Sequence, residues 1–161
     1  MYKHEVLIDN KRAIIFGLII ILIQMGVYYV IWMNPYVNSI SLQFADNPTV
    51  KPYEYFGGLE NWMKLRTIYN IIFLAILIKL FLMFYGNIPG TGWKKGMCFG
   101  LIISLIKVVP EAFNKWTLIV YPNELILVQF INGLIGFIVF GIVISTIYQK
   151  FNVINVSTMS T

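Results

Sequence analysis

The sequence is poor in the side chains that most often hold metals and redox groups. Among its 161 residues, Cys98 is the one cysteine and His4 the one histidine. A single cysteine forms no intrachain disulfide and builds no Cys-based zinc or iron–sulfur site, and a single histidine cannot supply both axial ligands of a haem. The sequence therefore predicts no cofactor, no metal site and no redox chemistry within one chain.

Charge is scarce as well. Charged side chains make up 12% of the chain and hydrophobic residues 58%. In soluble domains, charged residues average about 25% and apolar residues about 45–50%. These proportions exclude a soluble globular domain and predict an integral membrane protein. The formal net charge is +5, but the basic residues stand mainly at the ends of apolar runs. They therefore predict membrane lipid, and not nucleic acid, as the partner.

Catalytic motifs are missing too. The chain has no Ser–His–Asp set and no H-E-x-x-H pattern. The turn from Gly90 to Gly96 lacks the Walker spacing G-x-x-x-x-G-K-[ST] and follows an apolar run instead of a strand. We therefore expect a protein that is not an enzyme and has no catalytic residue. An enzyme acting on lipid stays open as a further alternative, supported by Glu111 and the basic turn alone.

Four apolar runs are long enough to cross a bilayer, which takes about 20 residues in a helix. They predict transmembrane helices over 13–33, 65–85, 96–118 and 124–148. The third is long enough only if its helix continues through Pro110. The first exceeds the about 7–15 apolar residues of a signal peptide and has no small-x-small cleavage site. We predict an all-α, polytopic four-helix transmembrane bundle that forms a single domain over 1–161.

The segment 34–64 is the one long connection between these helices. It contains Pro35, Pro48 and Pro52 together with several aromatic residues, so it predicts an extramembrane loop packed on the membrane surface, with a short helix near 59–65. Basic residues are more frequent on the side that the N-terminus shares. By the positive-inside rule, we expect both termini in the cytoplasm, the loop on the other side, and a location in the cell's inner or plasma membrane.

An aromatic and basic cluster opens the third run. Trp93, Lys94 and Lys95 follow the turn after the second helix. This combination is typical of the boundary between hydrocarbon and water. We expect these three residues to contact lipid headgroups.

Small residues share one face of the fourth helix. Gly133, Gly141 and Ser145 are spaced so that their side chains point the same way. Small residues let helix backbones approach closely, which is how membrane helices associate. We expect this face to pack against other membrane helices, in other protein subunits or in a homo-oligomer.

Two amides, Gln129 and Asn132, also lie within the fourth apolar run. Buried amides in membrane helices bond across to polar residues of neighbouring helices. We expect them to bond to Asn70 or Gln24.

Lys107, Glu111 and Asn114 stand four and three residues apart in the third run, so they share one face of a continuous helix. Pro110 cannot donate to the carbonyl one turn earlier. A cation, a carboxylate and a freed carbonyl within one turn form a candidate site for an ion or polar solute, because ionisable groups inside a membrane are costly. The same residues also suit a structural ion pair, and the sequence leaves that choice open.

Three stretches of the last two helices carry a resemblance. They are K-G-M-C-F-G-L from Lys95, P-E-A-F-N-K-W-T-L-I-V-Y-P-N-E-L from Pro110 and G-L-I-G-F-I-V-F-G-I-V-I-S-T-I-Y from Gly133. These stretches resemble a group of small bacterial four-span membrane proteins of unassigned function. The resemblance implies a four-helix membrane fold and implies no activity.

The function that these features favour is a non-enzymatic membrane subunit. It would pack with other membrane helices as an accessory or scaffold component of a complex, with the 34–64 loop as a docking surface. The alternative is an oligomeric transporter or channel that uses Lys107 and Glu111 for a small ion or polar solute. Four helices rarely enclose a pathway, so this alternative requires several copies.

Overall fold

The computed structural model describes residues 4–32, 34–44 and 51–158. Within these ranges the chain forms five α-helices, two short 3-10 turns and a two-stranded sheet. The helices are α1 (Asn10–Trp32), α2 (Pro35–Gln43), α3 (Leu59–Phe84), α4 (Gly92–Leu118) and α5 (Asn123–Lys150), the strands are β1 (His4–Ile8) and β2 (Ile154–Thr158), and the 3-10 turns are Tyr53–Phe56 and Tyr85–Asn87.

Four helices, α1, α3, α4 and α5, are each long and apolar enough to cross a bilayer. They contain 23, 26, 27 and 28 residues, more than the about 20 that the hydrocarbon core requires. The predicted all-α four-helix transmembrane bundle is thereby confirmed, and the chain is an integral membrane protein. Large apolar side chains stay exposed along all four helices, which suits a surface whose solvent is hydrocarbon.

The first span begins earlier than its apolar run because a carboxylate caps it. Asp9 precedes α1, and its Oδ1 accepts a hydrogen bond from the backbone N–H of Arg12 at 3.0 Å. Such a cap satisfies one of the free N–H groups of the first turn, so the helix starts at Asn10 and not at Ala13. Met33, the expected last residue of this span, lies outside the described residues.

The second and third spans are also longer than their apolar runs. α3 starts at Leu59 instead of at residue 65, and an ion pair between Glu60 and Lys64, one turn apart at 2.5 Å, supports its polar first turn. α4 runs without a break from Gly92 to Leu118 with Pro110 inside it, so the third span has its full length. Membrane helices tolerate such a proline because nearby groups satisfy the freed carbonyl.

The long connection between the first two spans holds more regular structure than predicted. α2 forms because Pro35 occupies the first helical position and the side-chain oxygen of Asn34 accepts a hydrogen bond from the N–H of Tyr36 at 2.9 Å. The short helix expected near 59–65 is the beginning of α3. Residues 45–50 lie outside the described residues.

A β-ribbon joins the two ends of the described chain, and the sequence does not predict it. β1 and β2 pair antiparallel with Ile8 opposite Ile154. The N–H of Asp9 donates to the carbonyl of Val153 at 3.0 Å, and Val153 is fully buried. Both ends of the described chain therefore lie at the same end of the bundle, which we call the ribbon end.

The closest helix pair is α4 with α5. A side chain at Gly96 would overlap the backbone carbonyl of Gly141, and one at Gly100 would overlap the backbone of Phe137. Helix backbones come this close only where side chains are absent or very small. The two helices thus form a tight antiparallel hairpin.

The small-residue face predicted on the fourth helix lies inside this hairpin. Gly141 contacts α4 as just described, and Gly133 lies against the side chain of Val108. The hydroxyl of Ser145 donates to the carbonyl of Gly92 at 2.8 Å. All three residues face α4 of the same chain, so their packing partner is internal.

Aromatic residues attach α1 and α3 to this hairpin. Tyr148 of α5 is fully buried, and its hydroxyl donates to the carbonyl of Ala13 in α1 at 3.0 Å. Phe81 of α3 is fully buried too, with its ring centroid 5.1 Å from that of Phe99 in α4. These contacts build the core at the ribbon end.

Burial is concentrated in the half of the bundle next to the ribbon. Buried residues end at Gln24 in α1 and at Val108 in α4, they begin at Leu74 in α3, and in α5 they resume at Phe140 after Leu125. The half beyond these points, which we call the open half, holds few buried side chains. The bundle is therefore packed at the ribbon end and splayed at the other.

The contact between α4 and α5 predicts different effects for alanine substitutions at two glycines of α5. Gly141→Ala is expected to lower thermal stability in detergent, because the new methyl group overlaps the α4 backbone. Gly136→Ala is the matched control, since a Cβ there meets no atom within 4 Å, and it is expected to leave stability unchanged or raise it through better helix propensity. Equal melting temperatures for both variants would contradict the packing described.

Candidate binding groove

A groove of about 680 Å³ lies between α3 and α4. Its apolar lining comes from both helices and from the residue after α4: Phe73, Ile76, Leu77, Leu80, Ile103, Ile106 and Ile119. Its polar lining comes from α4 alone: Lys107, Glu111, Asn114 and Lys115. The polar residues gather toward the open half, so the groove is amphipathic along its length.

Lys107 stands where the apolar wall gives way to the polar end. Its Nζ lies 3.6 Å from Oε2 of Glu111, longer than the about 2.7–2.9 Å of a charge-assisted hydrogen bond. The ammonium also lies over two aromatic rings, 5.0 Å from the centroid of Phe73 and 5.8 Å from that of Phe137. The rings stabilise the cation, yet its N–H groups remain able to donate to an incoming acceptor.

Lys115 is held far more firmly. Its Nζ donates to Oε1 of Glu111 at 2.6 Å and to Oε1 of Gln129 in α5 at 2.7 Å. Gln129 in turn donates from Nε2 to the hydroxyl of Tyr121 at 2.8 Å. Lys115 therefore joins the end of α4 to the start of α5.

The two lysines thus differ in their capacity to donate hydrogen bonds to a ligand. The Lys107 side chain is 33% exposed and its ion pair is long, whereas the Lys115 side chain is 23% exposed and satisfied by two acceptors. Glu111, 50% exposed, stands between them. The arrangement suits binding of an anion at Lys107, with Lys115 and Glu111 fixing the geometry around it.

Of the four residues predicted for an ion or solute site, the structure brings three together. Lys107, Glu111 and Asn114 line the groove, while Pro110 is exposed and lies outside the lining. Sequence reasoning missed Lys115, although its spacing of four residues from Glu111 is the signal that finds it. The sequence does not indicate which apolar residues of α3 line the groove, because apolar residues that face a groove have the same character as those that face lipid.

The expected pairing of amides is wrong in its partners. Gln129 bonds to Lys115 and Tyr121. Gln24 does reach across from α1 to α5, but it donates to the backbone carbonyl of Gly136 at 3.1 Å. Within the described ranges, Nδ2 of Asn132 and Oε1 of Gln24 are buried without a hydrogen-bond partner.

The three residues predicted to contact headgroups do not all face outward. Trp93 and Lys94 are exposed. Lys95 turns inward, where its Nζ donates to the carbonyl of Tyr85 at 2.7 Å and lies 4.2 Å from the centroid of the Tyr85 ring. Lys95 thus ties the start of α4 to the turn after α3.

Arg66 connects the open half of α3 to α1. Its guanidinium donates to the hydroxyl of Tyr28 and lies 5.2 Å from the centroid of the Trp62 ring. This contact keeps the open half of α3 attached to α1.

Comparison with family models, curated proteins and solved structures finds no match for this chain. The resemblance of the last two helices to small bacterial four-span proteins stays a prediction. The groove is therefore the feature of the structure that bears most directly on function.

Removing each lysine separately distinguishes their roles. Lys115→Met is expected to lower the free energy of unfolding by about 1–3 kcal/mol, because it breaks two hydrogen bonds of a charged group. Lys107→Met is expected to change it by less than about 1 kcal/mol, since its ion pair is long and partly exposed. Reversible unfolding in mixed micelles measures both. A larger loss for Lys107→Met would contradict this assignment.

Proposed function

We propose that this chain is a non-enzymatic integral membrane protein that binds an anionic amphiphile, meaning a molecule with a negative head and a hydrocarbon tail, in the groove between α3 and α4. The observation that carries the proposal is the position of Lys107 at the end of an apolar groove. The N–H groups of this cation can still donate hydrogen bonds to a ligand. The tail would lie along Ile76, Leu80 and Ile103, and the head would accept hydrogen bonds from Lys107.

The groove has the size of a small-molecule site. Its 680 Å³ falls within the about 300–1,000 Å³ of such sites. An apolar wall that ends in polar side chains matches a molecule with a hydrocarbon tail and a charged head.

The depth of Lys107 favours a ligand that arrives from the membrane. Lys107 precedes the end of α4 at Leu118 by about 16 Å at 1.5 Å per residue, so it lies well inside the span. An ionisable residue at such depth is costly unless paired, and commonly marks a site. A lipid can slide between α3 and α4 with its tail in hydrocarbon throughout.

The accessory or scaffold role is a second proposal. The glycine face expected to support assembly packs against α4 of the same chain, so it is not open to a partner. A partner subunit or second copy would instead meet the outer face of α3, where Leu65, Ile68 and Ile72 are each at least half exposed. The oligomeric transporter or channel also stays a proposal. The packed ribbon end closes the bundle in one chain, so a pathway would again need several copies.

We also propose that the protein resides in the cell's inner or plasma membrane with both chain ends in the cytoplasm. The β-ribbon brings the ends together on one side. Lys11, Arg12, Lys94 and Lys150 stand at the same end of the bundle, and an excess of basic residues marks the cytoplasmic side. Trp93 and Lys94 would contact headgroups there.

Binding is expected to depend on Lys107 and not on positive charge in general. In detergent, wild-type protein is expected to bind phosphatidylglycerol more tightly than phosphatidylcholine with the same acyl chains. Lys107→Met is expected to remove most of this preference. Lys79→Met is the matched control, because Lys79 is an exposed lysine of α3 outside the groove lining, and it is expected to retain the preference.

Native mass spectrometry of the protein–lipid complexes measures these affinities directly. The proposal fails if the wild-type protein shows no preference for the anionic lipid. It also fails if both lysine variants lose the preference equally, since the lipid would then respond to net charge alone.

A further inference from the structure

Glu111 gives the groove a fixed negative charge beside the binding cation. Within the described part of the chain, the charged residues that line the groove are Lys107, Lys115 and Glu111. Two lysines and one glutamate sum to a formal charge of +1. One negative charge on the ligand therefore neutralises the site.

The carboxylate cannot easily leave this position. Its Oε1 is held by Lys115 at 2.6 Å, while Oε2 lies 3.6 Å from Lys107. Turning away from Lys107 does not release it from Lys115, which is itself fixed by Gln129. An anion bound at Lys107 thus lies next to Glu111 and experiences its repulsion.

We propose that Glu111 restricts the groove to head groups that carry a single negative charge, such as a phosphodiester or a carboxylate. This inference rests on the proposed function. A phosphomonoester carries about 1.5–2 negative charges near neutral pH, so it leaves the site with excess negative charge. Excess charge is strongly unfavourable where the surroundings are of low dielectric constant. Glu111 is therefore a specificity-determining residue.

The experiment compares three lipids with identical acyl chains. Phosphatidylglycerol supplies a monoanionic phosphodiester, phosphatidic acid a phosphomonoester, and phosphatidylcholine the neutral reference. Their dissociation constants are measured by native mass spectrometry for the wild-type protein and for Glu111→Gln. The wild-type protein is expected to bind phosphatidylglycerol at least as tightly as phosphatidic acid.

Glu111→Gln raises the formal charge of the site by one. It is expected to shift the ratio of the two dissociation constants toward phosphatidic acid by about tenfold, which corresponds to about 1.4 kcal/mol. Glu111→Asp keeps the charge and is expected to keep the wild-type ratio. Glu60→Gln removes an exposed carboxylate at the start of α3 and is expected to leave the ratio unchanged. Glu111→Asp also shows whether disturbing the bond to Lys115 changes the ratio when the charge is kept.

The outcomes separate the two claims. If the wild-type protein prefers both anionic lipids to phosphatidylcholine but Glu111→Gln leaves their ratio unchanged, the role of Glu111 is wrong and the proposed function stands. A wild-type preference for phosphatidic acid also overturns the role of Glu111. If the wild-type protein does not distinguish anionic from neutral lipid, the proposed function itself is wrong.

Discussion

The backbone contact between α4 and α5 at Gly96 and Gly141 determines the shape of the bundle. Because no side chain separates the two helices, they form one unit, and Tyr148 attaches α1 to it. α3 joins this unit through its buried half from Leu74 onward. Its other half is held to α1 by Arg66. The groove lies beside this packed region: its α3 wall runs from Phe73 to Leu80, and its polar end on α4 extends into the open half.

The polar end of the groove shows how two identical side chains acquire different roles inside a membrane. Lys115 donates hydrogen bonds to Glu111 and Gln129, and the bond to Gln129 joins α4 to α5. Lys107 has a long ion pair and two aromatic neighbours. A charge in this position needs compensation, because an ionisable group inside a membrane span is costly unless it is paired. An anionic head group within hydrogen-bond distance would balance the charge of Lys107 more fully than Glu111 does at 3.6 Å.

Much of the fold is predictable from the sequence, because crossing hydrocarbon demands long apolar helices and little else suits the composition. The four spans follow from that demand. Their starts do not, since they depend on local caps such as Asp9. The β-ribbon is missed because its strands are short and lie at opposite ends of the chain. The glycine face is readable from spacing, but spacing does not tell whether the facing helix belongs to the same chain.

The site is predictable only where it lies on one helix. Lys107, Glu111 and Asn114 share a helical face, whereas the wall from α3 and the bond from Gln129 require tertiary structure. The most direct test of the groove is photo-crosslinking in bilayers with a lipid that carries a diazirine in its acyl chain, mapped by peptide mass spectrometry. With a monoanionic head, the account predicts labels concentrated at Ile103, Ile106 and their neighbours in the groove, and weaker labelling there with a neutral head. Labels spread evenly over all exposed helix faces, whatever the head group, would contradict it.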